Sequence, residues 1–463
     1  MQKARRINTM REDKRPTELG TERISKLLVK YAVPAIIAMV ASSLYNITDR
    51  AFLGHGVGAL AISGLAVSFP FMNLSAAFGT LVGVGSATLL SIRIGQKDYE
   101  TANRILGNVI LLSLIFGISF SIVTFVFLDP ILLFFGASEA TLPYARDFMR
   151  IILCGNTITY LFMGLNALLR AAGNPSKAMY ATIFTVIINI ILNPLFIFGL
   201  GWGIKGSALA TLIAQATVLL WQLHFFRNKN NFIHFQKSAF RLKRRIVSDT
   251  LAIGLSPFSM NAVASVIVIV INQGLLYTGG DLAVGAYGII NSVAFLFVMI
   301  VLGFNQGMQP IAGYNFGAML YGRVNEVLKQ TIIYATGVMF FGFLFVELFP
   351  GVVVTVFTRD KELIELASNG LRIMFVAFPI VGFQMVSSNF FQSIGMAKIS
   401  IFLSLSRQLL FLLPCLLILP RIWGINGVWA SMPVSDTISS VVTAFMLVYQ
   451  LRRLKAKELN KQL

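Results

Sequence analysis

Apolar runs of roughly 20 residues, the length one helical crossing of a bilayer needs, recur twelve times along the chain. They lie near residues 28–50, 63–91, 104–128, 148–170, 178–200, 204–226, 249–276, 286–311, 328–350, 371–394, 399–419 and 426–450. The pattern predicts an all-α polytopic membrane protein with twelve transmembrane helices. The polar segment 227–248 divides six runs from six. The expected organisation is therefore a segment 1–26, a first half 27–226, a connecting loop 227–248, a second half 249–450 and a tail 451–463.

The two halves resemble each other when one is slid along the other. "GSATLLSIRIGQKDYETANRIL" from Gly85 aligns with "GMQPIAGYNFGAMLYGRVNEVL" from Gly307, so that Gly85, Gly95, Tyr99, Asn103 and Leu106 meet Gly307, Gly317, Tyr321, Asn325 and Leu328 at a constant offset of 222. "VAS" at 40–42 and at 263–265, Pro34 and Pro257, and "GIKG" at 203–206 with "GING" at 424–427 extend the match. Ordered matches at offsets of 221 to 223 indicate a duplicated unit. Six spans is an even number, so both units enter the membrane in the same sense, as parallel repeats. The expectation is two six-helix lobes around a central cavity, the plan of an alternating-access carrier.

Composition agrees with the runs. Hydrophobic residues make up 56% and charged residues 12%, with a mean hydropathy of +0.77, too little polar surface to cover a water-soluble core. The formal net charge of +19 raises the possibility of a nucleic-acid partner. Placement argues against one, because the basic residues lie between apolar runs, where they act as topology signals. Arg93, Lys97, Arg104, Lys177, Arg323, Lys329, Lys398, the stretch 227–245 and the tail fall in alternate loops, which places those loops and both termini in the cytoplasm. Lys205, Arg359, Lys361 and Arg421 stand on the other side as exceptions. The first 26 residues have no apolar segment of signal-peptide type. Cys154 and Cys415 sit inside apolar runs and read as buried reduced thiols.

Within the runs, polar residues fall at helical spacing. Ser42, Tyr45, Asn46 and Asp49 share one stripe of the first span. Asn156, Thr159, Met163 and Asn166 share one of the fourth, Thr182, Thr185, Asn189 and Asn193 one of the fifth, and Ser207, Thr211 and Gln215 one of the sixth. Such stripes serve either as hydrogen-bonding contacts between helices or as a site. Helical rise brings Asp49, Asn189, Asn193 and Thr211 into the outer half of the membrane, about 18 to 27 Å from its inner side. One carboxylate, two carboxamides and a hydroxyl at similar depth suit a proton relay or a small monovalent cation. Arg407 and Asp436, in the eleventh and twelfth spans, lie at matched depth and are expected to form a structural ion pair.

With these residues in view, the sequence resembles the multidrug and toxic compound extrusion (MATE) family, in its bacterial DinF/MepA-like branch. The resemblance rests on "YNITDRAFLG", "GVGSATLLSIRIGQKD", "LRAAGNPSKAM", "IINIILNPLFIFG", "GIKGSALAT", "GFNQGMQPIAGYNFGA" and "GVWASMPVSD" in this order. It implies an antiporter that expels amphipathic, mostly cationic compounds in exchange for protons or sodium ions, with no other cofactor and no resident metal. Asp49 takes the place of the family's central ionisable residue, and Asn189, Asn193 and Thr211 map to its partners. Tyr45, Asn46, Asn156 and Gln215 form the supporting polar stripe. Asn193 stands where related members often carry aspartate. The seventh span from Thr250 onward and the tenth span contain no acid, so the carboxyl-half sodium site of the NorM branch has no counterpart here.

The substrate is expected between the lobes, against Met163, Phe258, Met260, Phe295, Met299, Phe383 and Met385, because thioethers and aromatic faces accommodate varied amphipathic cations. Pro34 is either a bend in the first helix or a proline of the helix start. A monomer in the bacterial plasma membrane is expected. A lipid-linked oligosaccharide flippase would need a cationic cavity, whereas the inward stripes are neutral or acidic. A membrane enzyme would need machinery that the scattered His55, His224 and His234 do not supply.

Overall fold

The computed structural model describes residues 18–462, apart from the side chains of residues 46, 47, 50, 51, 54, 59, 62, 237 and 460–462. Among the described residues every regular element is a helix. In hydrocarbon each backbone amide and carbonyl must bond internally, and a helix does this within a single segment. The first half holds α1 (Ile24–Gly56), α2 (Ala59–Gly95), α3 (Tyr99–Val126), α4 (Leu142–Cys154), α5 (Asn156–Ala171), α6 (Pro175–Gly199, ending in a π turn at Leu195–Gly199) and α7 (Gly203–Arg227). The helical stretch Arg244–Gly317 then parts at Gly280 into α8 (244–279) and α9 (281–317). After it come α10 (Tyr321–Leu348), α11 (Lys361–Phe375), α12 (Phe378–Ser393), α13 (Ala397–Trp423, with a π turn at Ser406–Leu412) and α14 (Ile425–Gln462).

Nine of these stretches are long and apolar enough to cross a membrane, and the bent pairs α4–α5 and α11–α12 raise the number to eleven. Gly280, at φ 64, divides the 74-residue stretch into two, which makes twelve spans among the described residues. The fourth and tenth apolar runs, continuous in sequence, are bent by 56° and 52°. At the first bend, Leu212 occupies the space that a side chain at Gly155 would need: a Cβ there would lie 2.2 Å from Leu212 Cδ2. The second bend falls at Val376 and Ala377, the latter being the repeat equivalent of Gly155 at offset 222.

Helix surfaces are reversed relative to those of a soluble bundle. On α3, Ile118, Ile122 and Val126 are exposed at helical spacing, while Asn103, Asn108 and Ser113 are buried. The connecting segment is held to the buried side: His234 N donates to Asn103 Oδ1 at 3.1 Å and Lys243 N donates to Asn108 Oδ1 at 3.1 Å. Cys154 is exposed and Cys415 half-buried, both as free thiols, which corrects the expectation that they are buried. An apolar run predicts membrane depth, and it does not predict which side of the helix meets lipid.

Two compact units result, and the chain passes between them inside helices rather than in the 227–248 segment. One unit comprises Ile37–Phe258 with the described residues before Arg23, and the other comprises Arg23–Ile36 with Ser259 onward. The crossing points 36/37 and 258/259 are themselves 222 residues apart. Glycines explain the division. In the first unit, a Cβ on Gly85 would lie 2.1 Å from Thr250 O and one on Gly254 would lie 1.9 Å from Leu81 O, so α2 and the start of α8 touch backbone to backbone. In the second, a Cβ on Gly307 would lie 2.6 Å from Ala32 Cα, and one on Gly303 would lie 2.7 Å from Ile36 Cα. Residues 81, 85, 250 and 254 correspond to 303, 307, 28 and 32 at the repeat offset. The glycine shared by the two halves, Gly85 in one and Gly307 in the other, thus marks one crossing made twice.

Gly254→Leu is expected to lose ~3 kcal/mol or more through overpacking. Its yield of monodisperse protein and its melting temperature in detergent should both fall. Gly337→Leu, at a glycine with nothing within 4 Å of its would-be Cβ, should match the parent protein.

Candidate functional site

The first unit carries a buried polar centre where α1, α6 and α7 meet. Asp49 is 8% exposed, Asn189 2%, and Asn193 and Ser207 are fully buried. Asn193 Nδ2 donates to Asp49 Oδ1, and Ser207 Oγ donates to the same oxygen at 2.7 Å. Asn193 Nδ2 also reaches Asn189 Oδ1 at 3.4 Å, Asn189 Nδ2 donates to Thr211 Oγ1 at 3.0 Å, and Tyr45 OH stands 2.9 Å from Thr211 Oγ1. A carboxylate at membrane depth costs ~3 kcal/mol or more, and hydrogen bonds to a charged group return ~1.5–3 kcal/mol each. Two such donors on one oxygen bring that burial near balance. Asn193 Oδ1 is buried and accepts no hydrogen bond.

The local sequence builds this centre by periodicity. Tyr45 and Asp49 are one turn apart on α1, Asn189 and Asn193 on α6, and Ser207 and Thr211 on α7, so each helix contributes two polar groups to one level. Pro194 follows Asn193 and opens the π turn of α6. Ser207, on the stripe of the sixth span, belongs to this centre, although the expected set Asp49, Asn189, Asn193 and Thr211 does not include it. Its spacing of four from Thr211 was the available signal. The side chain of Asn46 lies outside the described residues.

On the side of this centre toward the end of α1, Leu53, Ile197, Ile204 and Ala208, none more than 5% exposed, belong to an apolar cluster with Leu65, Leu132 and Phe148. On its other side the polar contacts continue. Thr159 Oγ1 donates to Gln215 Oε1 at 2.6 Å, and Asn166 Nδ2 to Thr182 Oγ1 at 3.1 Å. Asn156 turns elsewhere: its Oδ1 accepts from Ser75 Oγ at 2.9 Å, beside Tyr160, so α2 and not the Asp49 centre receives it.

In the second unit Arg407 Nε donates to Asp436 Oδ1 at 2.7 Å. Arg407 lies in the π turn of α13, where the wider turn redirects side chains. Of the residues assigned to substrate, Met163, Phe258, Met260, Met299, Phe383 and Met385 are half-buried and Phe295 is exposed. In the first unit Phe258 packs edge-on to Phe78 at 4.8 Å, and Met163 lies over Gly79. Pro34 lies inside α1, ten residues past its start, which removes the helix-start alternative. Among the described residues no three His, Cys, Asp or Glu side chains converge to hold a metal ion.

Twelve spans among the described residues, in repeated units and with an ionisable residue buried at membrane depth, define a membrane transporter. Residues 34–195 and 257–417 match the family model MatE, one match in each repeat, and the chain belongs to this family. It is 28% identical to the multidrug export protein MepA of Staphylococcus haemolyticus, over 93% of this chain and 94% of that protein. It is also similar to a crystal structure of MATE in the straight conformation (25% identity, TM-score 0.89, 95% of this chain and 99% of the other) and to one in the bent conformation (24%, TM-score 0.90, 96% and 98%). The chain is thus a transporter of the MepA-like branch, and not an enzyme.

Proposed function

We propose that the protein is an antiporter that uses an inward proton or sodium gradient to export amphipathic, mostly cationic compounds by alternating access. The observation that carries this reading is the composition of the Asp49 centre: one carboxylate, a carboxamide oxygen without a donor and two hydroxyls, shut off on one side by apolar packing. Such a set of hard oxygens accepts a proton or a small monovalent cation and offers little to a soft metal. With Asn193 neutral, one positive charge cancels the charge of the centre. A cationic drug and the coupling ion then compete for the same negative charge, so loading the ion weakens the hold on the drug. Met163 and Phe258 of the same unit supply apolar contact for that drug. Pro34 removes an amide hydrogen from α1, which gives this helix a place to bend when Asp49 is neutralised. The relatives named as multidrug exporters support the same reading.

The test is dye efflux from vesicles holding the purified protein, with proton and sodium gradients imposed separately. Efflux driven by one of them is expected, and efflux indifferent to both would refute ion coupling.

The protein is further proposed to be monomeric and to lie in a bacterial plasma membrane with both termini in the cytoplasm. Cysteines introduced at 227–245 should resist an impermeant thiol reagent in intact cells, and cysteines at 279–281, beside the break at Gly280, should react. The reverse pattern would invert the topology.

A further inference from the structure

Below the Asp49 centre the first unit contains buried polar atoms that serve no contact described so far. Gln222, on α7, is fully buried, and neither its Oε1 nor its Nε2 has a hydrogen-bond partner. Asn166, on α5, is 8% exposed, and its Oδ1 is likewise unpartnered, although its Nδ2 holds Thr182. Register brings these two residues to the same level. α5 and α7 are separated by one helix and so run in the same direction. Leu212 sits at Gly155, and Thr159 bonds Gln215 at 2.6 Å. Asn166 and Gln222 are each seven residues, two turns and about 10 Å, beyond that bonded pair. Three buried amide atoms without protein partners therefore fall at one level on α5 and α7, with the Thr182 hydroxyl bonded to Asn166.

Bare amides are not buried in this way without water, and a polar site with several donors and acceptors is where water is retained. We infer that Asn166, Thr182 and Gln222 line a hydrated passage through which the ion bound at Asp49 exchanges with the cytoplasm. The contrast between the two sides of the centre gives the direction. Outward lie Leu53, Ile197, Ile204 and Ala208, all buried and apolar. Inward, polar groups continue from Thr211 through Thr159 and Gln215 to Asn166 and Gln222. The passage rests on the reading of Asp49 as the coupling site, while its hydration can be measured independently.

The experiment uses the full chain with Cys154→Ala and Cys415→Ala as background, in inside-out vesicles. Gln222→Cys and Asn166→Cys should react with the cationic reagent methanethiosulfonate ethylammonium added on the cytoplasmic side, whereas Leu219→Cys, buried among apolar groups, should not. In the native background, Gln222→Leu and the length-matched Gln222→Met should bind drug normally and export it about tenfold more slowly under the gradient, the equivalent of one lost water-mediated contact on the ion's route. Cysteines at 166 and 222 as inert as the one at 219, or export at the parent rate by Gln222→Leu, would overturn the passage. Labelling at 166 and 222 together with intact gradient-driven export by Asp49→Asn would overturn the coupling reading, and with it the ion traffic assigned here.

Discussion

Asp49→Asn should yield a folded transporter whose export no longer responds to an ion gradient. The substitution keeps the size of the side chain and retains an acceptor for Ser207 Oγ, which now donates to the carboxylate at 2.7 Å, so folding should be spared. It removes the charge that a proton or sodium ion would cancel. Gradient-driven dye efflux should fall at least ~100-fold, the consequence of losing a charge interaction worth ~3 kcal/mol at membrane depth. Binding of a cationic dye should weaken as well, and melting temperature should move little. A second substitution sharpens the test. Asn193 contacts the same oxygen of Asp49 from α6, so Asn193→Asp places a carboxylate in the same centre from the other helix. The double variant Asp49→Asn, Asn193→Asp should therefore recover part of the coupling. Full gradient-driven efflux by Asp49→Asn alone would show that the motif "YNITD" serves structure and that coupling occurs elsewhere.

The other large effect is expected in the second unit, and it concerns stability. Arg407 and Asp436 hold each other at 2.7 Å with side chains 28% and 11% exposed. Asp436→Asn leaves a guanidinium without its counter-charge inside the membrane, at a cost of ~3 kcal/mol or more. Melting temperature and yield should drop together. Removing both charges, as Arg407→Leu with Asp436→Leu, should cost far less than either change alone, because a buried ion pair is replaced by apolar packing and no orphan charge remains. Exchanging the two residues should restore part of the loss. If Asp436→Asn keeps full stability and abolishes export, Asp436 belongs to the transport mechanism and not to the scaffold.

The spans and their number could be read directly from the chain, because the cost of an unsatisfied backbone in hydrocarbon leaves an apolar stretch of such length one regular conformation. The duplication was equally plain, and so was the set Asp49, Asn189, Asn193 and Thr211, since helical spacing places polar residues at a common depth. Periodicity within one helix does not state which neighbour that helix meets. Asn156 shares the stripe of Thr159 and yet bonds Ser75, while Ser207, left out of the predicted site, bonds Asp49. The bends at Gly155 and Ala377 and the π turn that presents Arg407 depend on packing against other helices, as the close fit of Leu212 at Gly155 illustrates. The units part within α1 and α8 because glycines on α2, α8 and α9 bring backbones more than 160 residues apart into contact, a relation that no local pattern encodes. The sequence by itself thus determined depth, periodicity and repeat, all of which follow from the chain's own helical geometry and its solvent. Only the tertiary structure decided partners, because a hydrogen bond between helices depends on rotation and register set by every contact along both of them.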